Sequence, residues 1–193
     1  MDPALTVHVG SPRDDATDQV VRLVQEVMGE GAALGWSGVP TMDQAAAWWR
    51  DLLARVAAGD AAVTAAYDDA ELVGLGEWRR YELAPQAQNA DLEKVFVSTR
   101  CRGSGIGERL MADLIAQARA VGIETLTLQS RGNNHGAIRL YQRLGFTEYG
   151  RLADFVASGP DRWDKVLMAI DLRTGTEPLH RHGAAPVGEG SYP

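Results

Sequence analysis

Apolar positions along this chain switch between two spacings. Val20, Leu23, Val24 and Val27 recur at helical intervals, as do Ala45, Trp48, Trp49, Leu52 and Val56, and again Ile106, Leu110, Leu114, Ala118 and Val121. These stripes predict a helix from Asp14 or Asp15, as cap, to about Met28, a second from Thr41 to about Gly59, and a third from about Gly105 to Val121. Thr41 with Gln44 forms a capping-box pattern, and Gly122 suits a C-terminal cap. A short fourth helix is predicted over Asn134 to Leu144, stopped by Gly145. Between the helices lie apolar runs of strand length: Leu5–Val9, Ala61–Tyr67, Glu71–Trp78, Ala90–Ser98, Thr125–Leu128, Phe146–Val156 and Trp163–Leu172. Asp68-Asp69 joins two of them as a hairpin. The order predicts a mixed α/β domain, with hairpin strands first and one strand-helix-strand unit in the second half.

Two segments break the pattern. Gly29 to Pro40 holds four glycines and a proline, so it reads as a loop, made unusually apolar by Leu34 and Trp36. Residues 174–193 are polar and rich in Gly, Pro and His, and read as a tail after a single domain over 1–173. A length of 193 residues fits one core.

Composition removes several function classes. The formal net charge of -7 argues against general nucleic-acid binding, which needs a basic footprint. No apolar run is long enough to span a bilayer, and the N-terminus lacks a signal-peptide pattern, so no membrane partner is expected. Cys101 is the only cysteine, which excludes an internal disulfide and favours a reducing, cytoplasmic setting. His180 and His182 form an HRH run, a poor metal site without further ligands, so no metal is expected.

Against this acidic background, RCRGSGIGERL (residues 100–110) packs three arginines and three glycines between a strand and a helix. Such a junction is an anion site. The first helical N–H groups lack internal partners, the helix dipole adds partial positive charge, and glycine lets a ligand approach closely. Arg100 and Arg102 add full charges. No Gly-Lys-Ser/Thr follows, which excludes a P-loop. In a dinucleotide-binding fold an acid should end the next strand, whereas Glu124 would open it.

With its neighbours, this segment resembles the GNAT superfamily of N-acetyltransferases. Arg102-Gly103-Ser104-Gly105-Ile106-Gly107 matches the family's Arg/Gln-x-x-Gly-x-Gly/Ala. Val95-Phe96-Val97 matches the apolar triplet before it, and Asn134, Ala137, Tyr141, Gly145 and Phe146 match a later Asn-x-x-Ala-x-x-x-Tyr-x-x-x-Gly-Phe. The three matches fall in order across residues 90–147; the first half matches only as an order of elements. Many members carry proline where this chain has Thr99. The resemblance implies a mostly antiparallel central sheet, splayed between its fourth and fifth strands and flanked by about four helices. It implies that acetyl-CoA is bound by Arg102, Gly103, Ser104, Gly105, Ile106 and Gly107 at the pyrophosphate. The pantetheine arm would lie against Val95, Phe96, Val97 and Asn134, in the gap between the strands, with Tyr141 near the sulfur. A homodimer is common in the family.

Acetyl transfer to an amine sets three chemical demands. An amine with a pKa of about 10.4 is neutral in roughly one molecule in a thousand at pH 7, so a base must take its proton. The oxyanion needs a fixed donor, for which a strand N–H freed by the splay, that of Val97, would serve. The leaving thiolate gains from a proton donor, the role the resemblance gives Tyr141. Asp91 and Glu93 are the base candidates, placed on one strand face by alternation; by resemblance the family's acid falls at Asp91. Either also suits a solvated strand residue, and a water is a third option. Cys101 lies inside the loop but outside the motif and reads as incidental.

The acceptor is read from the first half. GAALGWSGVP with AAAWWRDLL more faintly resembles the branch that detoxifies antibiotics and toxins such as tabtoxin, although Gln129 stands where relatives carry an acid. That branch implies a small-molecule amine, with Trp36 as a pocket wall and Asp91 and Glu93 beside it. Glu77, Glu82 and Asp154 are unranked acids that could meet a cationic amine. The competing readings are a protein lysine or N-terminal acetyltransferase, a non-catalytic CoA-binding homologue, and a nicotinamide-binding dehydrogenase.

Overall fold

The computed structural model describes residues 7–32 and 34–173. The expected strand start at Leu5 and the tail 174–193, with its two histidines, lie outside these. In chain order the elements are β1 (Val7–Gly10), α1 (Thr17–Gly29), α2 (Met42–Ala58), β2 (Ala61–Asp68), β3 (Glu71–Arg80), β4 (Asn89–Val97), α3 (Ile106–Ala120), β5 (Thr125–Arg131), α4 (His135–Arg143), β6 (Thr147–Ser158) and β7 (Asp161–Asp171). Short 3-10 turns at Ala84–Gln86 and Thr99–Cys101 flank β4.

The helix stops obey the expected chemistry better than the first start does. Thr41 and Gln44 close a reciprocal capping box on α2, which is worth about 1 kcal/mol. Neither Asp14 nor Asp15 caps α1; its N-cap is Ala16, without a side-chain bond. Ala16 is itself buried, so packing rather than capping sets that end. Gly122 takes the left-handed conformation just beyond α3, as expected.

The strands form one sheet in the order β1-β2-β3-β4-β5-β7-β6. Every pairing is antiparallel except β4 with β5, the two strands joined through α3. On one face α1 and α2 bury Val20, Val24, Trp49 and Leu52 against Leu75 and Phe96. On the other, α3 buries Met111 and Leu114 against Ala90, Leu92 and Leu126, and α4 packs there through Ile138 and Tyr141. Gly76 permits this close approach: a Cβ there would lie 2.7 Å from Leu114 Cδ1. Among the described residues no helix is long and apolar enough to cross a membrane.

Two irregularities shape the middle of the sheet. The β4–β5 ladder ends at Leu92↔Leu128, although β4 runs on to Val97 and β5 to Arg131. The strands therefore part beyond Leu92. At the same point β4 carries a bulge against β3, since Glu77 pairs with Lys94 and Trp78 with Leu92, leaving Glu93 as the extra residue.

Candidate active site

The bulge at Glu93 reverses which face each residue of β4 presents. Before it, Ala90 and Leu92 pack toward α3. After it, Val95 and Val97 pack with Ile106 and Leu110, while Phe96 joins the α1–α2 core. Lys94 and Phe96 thus share the face of Asp91, whereas alternation alone would have given that face to Glu93. The same shift governs the backbone. Ser98 N donates to Val73 O at 2.8 Å, so ladder alternation points the amide groups of Phe96 toward β3 and those of Val95 and Val97 into the gap that β5 has left. Of the expected triplet, Val95 and Val97 turn their backbone groups into the gap; Phe96, 6% exposed, also borders the gap but packs in the core and by the same alternation turns its backbone to β3.

A cleft of about 1080 Å³ runs through this gap. Arg102, Gly107, Asn134 and Tyr141 line one end; Asp91, Glu93, Lys94, Gln129 and Lys165 line the other, with Val95 and Val97 between.

At the first end, Gly103 and Gly105 sit at φ +78° and +81°, a region that strains residues with a Cβ. Nothing lies within 4 Å of where a Cβ would stand at either, so the turn keeps clear space above the helix. Gly105 is the N-cap of α3 and gives it no side-chain bond, so the first-turn N–H groups remain uncapped. Ser104 Oγ donates back to Cys101 O and braces the turn. Ile106 contributes only its backbone, because its side chain is buried in the core at 1% exposure. The two arginines separate: Arg100 Nη2 bonds Glu71 at 2.7 Å, leaving Arg102 as the charge that lines the cleft. Cys101 is buried beneath the loop, and burial holds its thiol above the ordinary value, the reverse of an activated nucleophile.

Thr99, where proline is frequent, is anchored another way. Its N–H and hydroxyl both donate to Glu26 Oε1 at 3.3 Å, and the hydroxyl reaches Glu30 at 2.9 Å. Ser98 Oγ adds a 2.6 Å bond to the same Glu26 oxygen. Proline could not supply that N–H. Hydrogen bonds to α1 replace ring rigidity in holding this turn.

Tyr141 is half-buried on α4, its ring 6.1 Å from that of Phe146. Burial raises its phenol above the usual value, so it stays protonated near neutral pH, as a proton donor must. Asn134 caps α4, its side chain accepting from Ala137 N at 3.3 Å, while also lining the cleft.

At the other end, three acids differ sharply. Glu77 is fully buried yet paired: it accepts from Trp48 Nε1 at 3.2 Å and Arg79 Nε at 2.8 Å, with Lys94 Nζ at 3.5 Å. Cutting such a pair costs about 3–5 kcal/mol, because it strands the partner charges. Glu93 is partly exposed and is also neutralised, by Lys94 at 3.3 Å and Arg79 at 3.5 Å. Asp91 has no ion pair within salt-bridge distance among the described residues. Thr127 Oγ1 donates to its Oδ1, and Gln129 beside it also favours the ionised form. Burial dominates and raises the Asp91 carboxyl above the ordinary range; the Thr127 bond opposes this, and the nearby Glu93 charge adds to it. A half-buried carboxylate with a raised pKa at the edge of a cleft has the character of a general base.

Trp36 does not line the cleft. It packs edge-on against Trp48 at 5.6 Å, and Lys94 Nζ lies 5.6 Å from its ring and 5.4 Å from that of Trp48. Its place is behind Lys94; the loop's Leu34 and Gly35 form the wall instead. Glu82 is exposed and paired with Arg55. Asp154 stands on a bulge of β6 at φ +52° and does not line the cleft, but the bulge delivers Phe155, Val156 and Ala157 to its wall. Arg131, which sequence reading passed over, reaches from the end of β5 to Gly31 O at 3.5 Å and ties the α1–α2 loop to the cleft rim. Thr127 was equally illegible, since only the register Asp91↔Thr127 shows what it touches. Among the described residues no group of three or more His, Cys, Asp or Glu side chains is placed to hold a metal ion.

Solved structures share this fold. The N-acetyltransferase of Staphylococcus aureus Mu50 superposes with a TM-score of 0.78 at 17% identity, covering 87% of this chain and 99% of its own. A Salmonella typhimurium structure with its cofactor acetyl-CoA superposes at 0.77 with 19% identity, covering 89% and 97%. At such identities the likeness is one of fold. By sequence, the [ribosomal protein bS18]-alanine N-acetyltransferase of Escherichia coli strain K12 is 31% identical over 83 residues, 43% of this chain and 56% of the relative. The L-methionine sulfoximine/L-methionine sulfone acetyltransferase of Pseudomonas aeruginosa is 31% identical over 122 residues, 63% of this chain and 64% of the relative. The chain thus spans 56% and 64% of the lengths of these curated relatives. Residues 32–146, more than half of the chain, match the Acetyltransferase (GNAT) family, and the protein belongs to that family.

Proposed function

We propose that this protein is an acetyl-CoA-dependent N-acetyltransferase that acylates the primary amine of a small molecule by direct attack. One observation carries the reading: a single cleft joins the uncapped start of α3 to the unpaired carboxylate of Asp91 through the gap between β4 and β5.

The chain's own groups suit acetyl-CoA. The N–H groups at the start of α3, with Arg102, suit a pyrophosphate. The gap-facing amides of Val95 and Val97, together with Asn134, suit the two amides of a pantetheine arm. Acetyl-CoA supplies the activated thioester. Asp91 takes a proton from the acceptor ammonium, leaving a neutral amine. Val97 N–H donates to the acyl oxygen as negative charge develops there. The neutral nitrogen bonds the acyl carbon, the C–S bond breaks as Tyr141 O–H donates to the departing sulfur, and the proton shed by the acylated nitrogen reprotonates the tyrosine. Glu93, bound by Lys94 and Arg79, shapes the electrostatics around Asp91 rather than carrying the proton.

Two features support a small acceptor. The Phe155–Ala157 wall and the loop residues Leu34 and Gly35, with Arg131 tied to Gly31, line the cleft around its open space. The Pseudomonas relative, named for amino-acid derivatives, matches over 63% of this chain. The second reading is a protein N-terminal amine, favoured by the likeness to the bS18-alanine enzyme. Free-thiol release from acetyl-CoA, measured over a panel of amino-acid-like amines and of peptides with free N-termini, separates them. Turnover confined to small amines is expected. Turnover confined to peptides would transfer the assignment to a protein acceptor, and binding without turnover on any amine would mark a non-catalytic homologue.

A further inference from the structure

Behind Asp91, away from the cleft lining, two hydroxyls form a chain. Tyr81 Oη lies 2.7 Å from Thr127 Oγ1, and Thr127 Oγ1 donates to Asp91 Oδ1. Thr127 has one proton and three acceptors within reach: Asp91 Oδ1, Ala90 O at 3.5 Å and Tyr81 Oη. An ionised carboxylate outcompetes the other two, because charge-assisted bonds are about twice as strong as neutral ones. With the Thr127 proton committed to Asp91, Tyr81 must donate to Thr127. The Tyr81 proton then points at Thr127, and the Thr127 proton at the carboxylate. Once Asp91 is protonated, the demand disappears and the Thr127 proton is free to turn to Ala90 O or Tyr81.

We infer that Thr127 and Tyr81 are positioning residues: a polarised hydroxyl chain that holds Asp91 Oδ1, leaves Oδ2 for the acceptor amine, and keeps the carboxylate ionised despite its burial. The inference rests on Asp91 serving as the base. Other groups around Asp91 do not duplicate the chain. Arg79, opposite on β3, is engaged by Asp51, Glu77 and Glu93. Glu93 on β4 and Tyr149 on β6 offer it no cation, and Lys165 on β7 acts on it only as a charge at longer range. Gln129 on β5 is neutral and supplies no charge.

The test is a carboxyl ¹³C NMR titration of Asp91 in the full chain, run on wild type, Thr127→Val, Thr127→Ser and Tyr81→Phe. Loss of a hydrogen bond to a charged group should raise the Asp91 pKa by about one unit in Thr127→Val. Thr127→Ser should restore the wild-type value, and Tyr81→Phe should shift it by a smaller amount in the same direction. The acid limb of kcat should move with the NMR value, while kcat at high pH and KM for acetyl-CoA stay near wild type. An Asp91 pKa unmoved in Thr127→Val would overturn the inference, as would an activity loss equal at every pH. Asp91→Asn tests the underlying reading separately. If it keeps wild-type turnover, the base assignment fails. If it is inactive while Thr127→Val titrates like wild type, only the hydroxyl chain fails.

Discussion

At the α3 end of the cleft the groups proposed to hold acetyl-CoA are mainly backbone: the N–H groups after Gly105, and the amides of Val95 and Val97 turned into the gap. At the other end they are side chains drawn from several strands: Asp91 and Lys94 from β4, Gln129 from β5, Lys165 from β7. A backbone site needs only a short run of residues with the right conformations, so it is written as a local motif. A side-chain site depends on pairing, register and bulges, and residues far apart in the chain must meet before it exists. The difference predicts that damage at the first end is a loss of binding, and at the second a loss of turnover.

The sharpest way to break that division is Gly105→Glu. A side chain at φ +81° strains the turn, and its carboxylate would stand where an anion is expected. Acetyl-CoA affinity should fall by more than about 100-fold, equivalent to roughly 2.7 kcal/mol, with the thermal transition largely kept. Unchanged affinity in a calorimetric titration would remove the cradle from the account.

Asp91→Asn should do the converse. Turnover should drop by about 100- to 10,000-fold, the usual worth of a general base, with acetyl-CoA affinity preserved. In wild type, activity should fall as pH drops through the Asp91 value, because the protonated carboxyl accepts no proton. That limb lies above the ordinary aspartate range, since burial raises the group. An acid limb that persists in Asp91→Asn would assign it to another residue. Tyr141→Phe is the exception at the α3 end: as the proposed proton donor to sulfur it should lower kcat with little change in binding.

The smallest expected effect separates two arginines. Arg102→Ala should weaken acetyl-CoA binding several-fold, more at low salt than at high, because a cleft-facing charge is screened by ions. Arg100→Ala should leave binding unchanged, since its guanidinium is engaged by Glu71. Equal effects of the two would mean that the ion pair does not hold Arg100 in solution.

The same contrast explains what could be read in advance. Helices, the succession of strands along the chain and the glycine turn were legible because each is a local pattern of period or motif. Asp91 was legible as a candidate, yet its standing relative to Glu93 was not. That depended on a one-residue bulge which hands Glu93 to Lys94 and Arg79 and leaves Asp91 without a salt-bridge partner among the described residues. Trp36 was misplaced for a related reason. An apolar ring in a loop marks burial, but only the fold tells whether it meets a ligand or, as here, Trp48 and Lys94. The turn at Thr99 shows the limit of motif reading from the other side, since its anchor is Glu26, far away on α1.

The most direct measurement is a calorimetric titration of the purified protein with acetyl-CoA, with NADH as the control. Micromolar binding of acetyl-CoA and none of NADH is the expected result. Binding of NADH without acetyl-CoA would contradict the account and return the glycine turn to dinucleotide recognition.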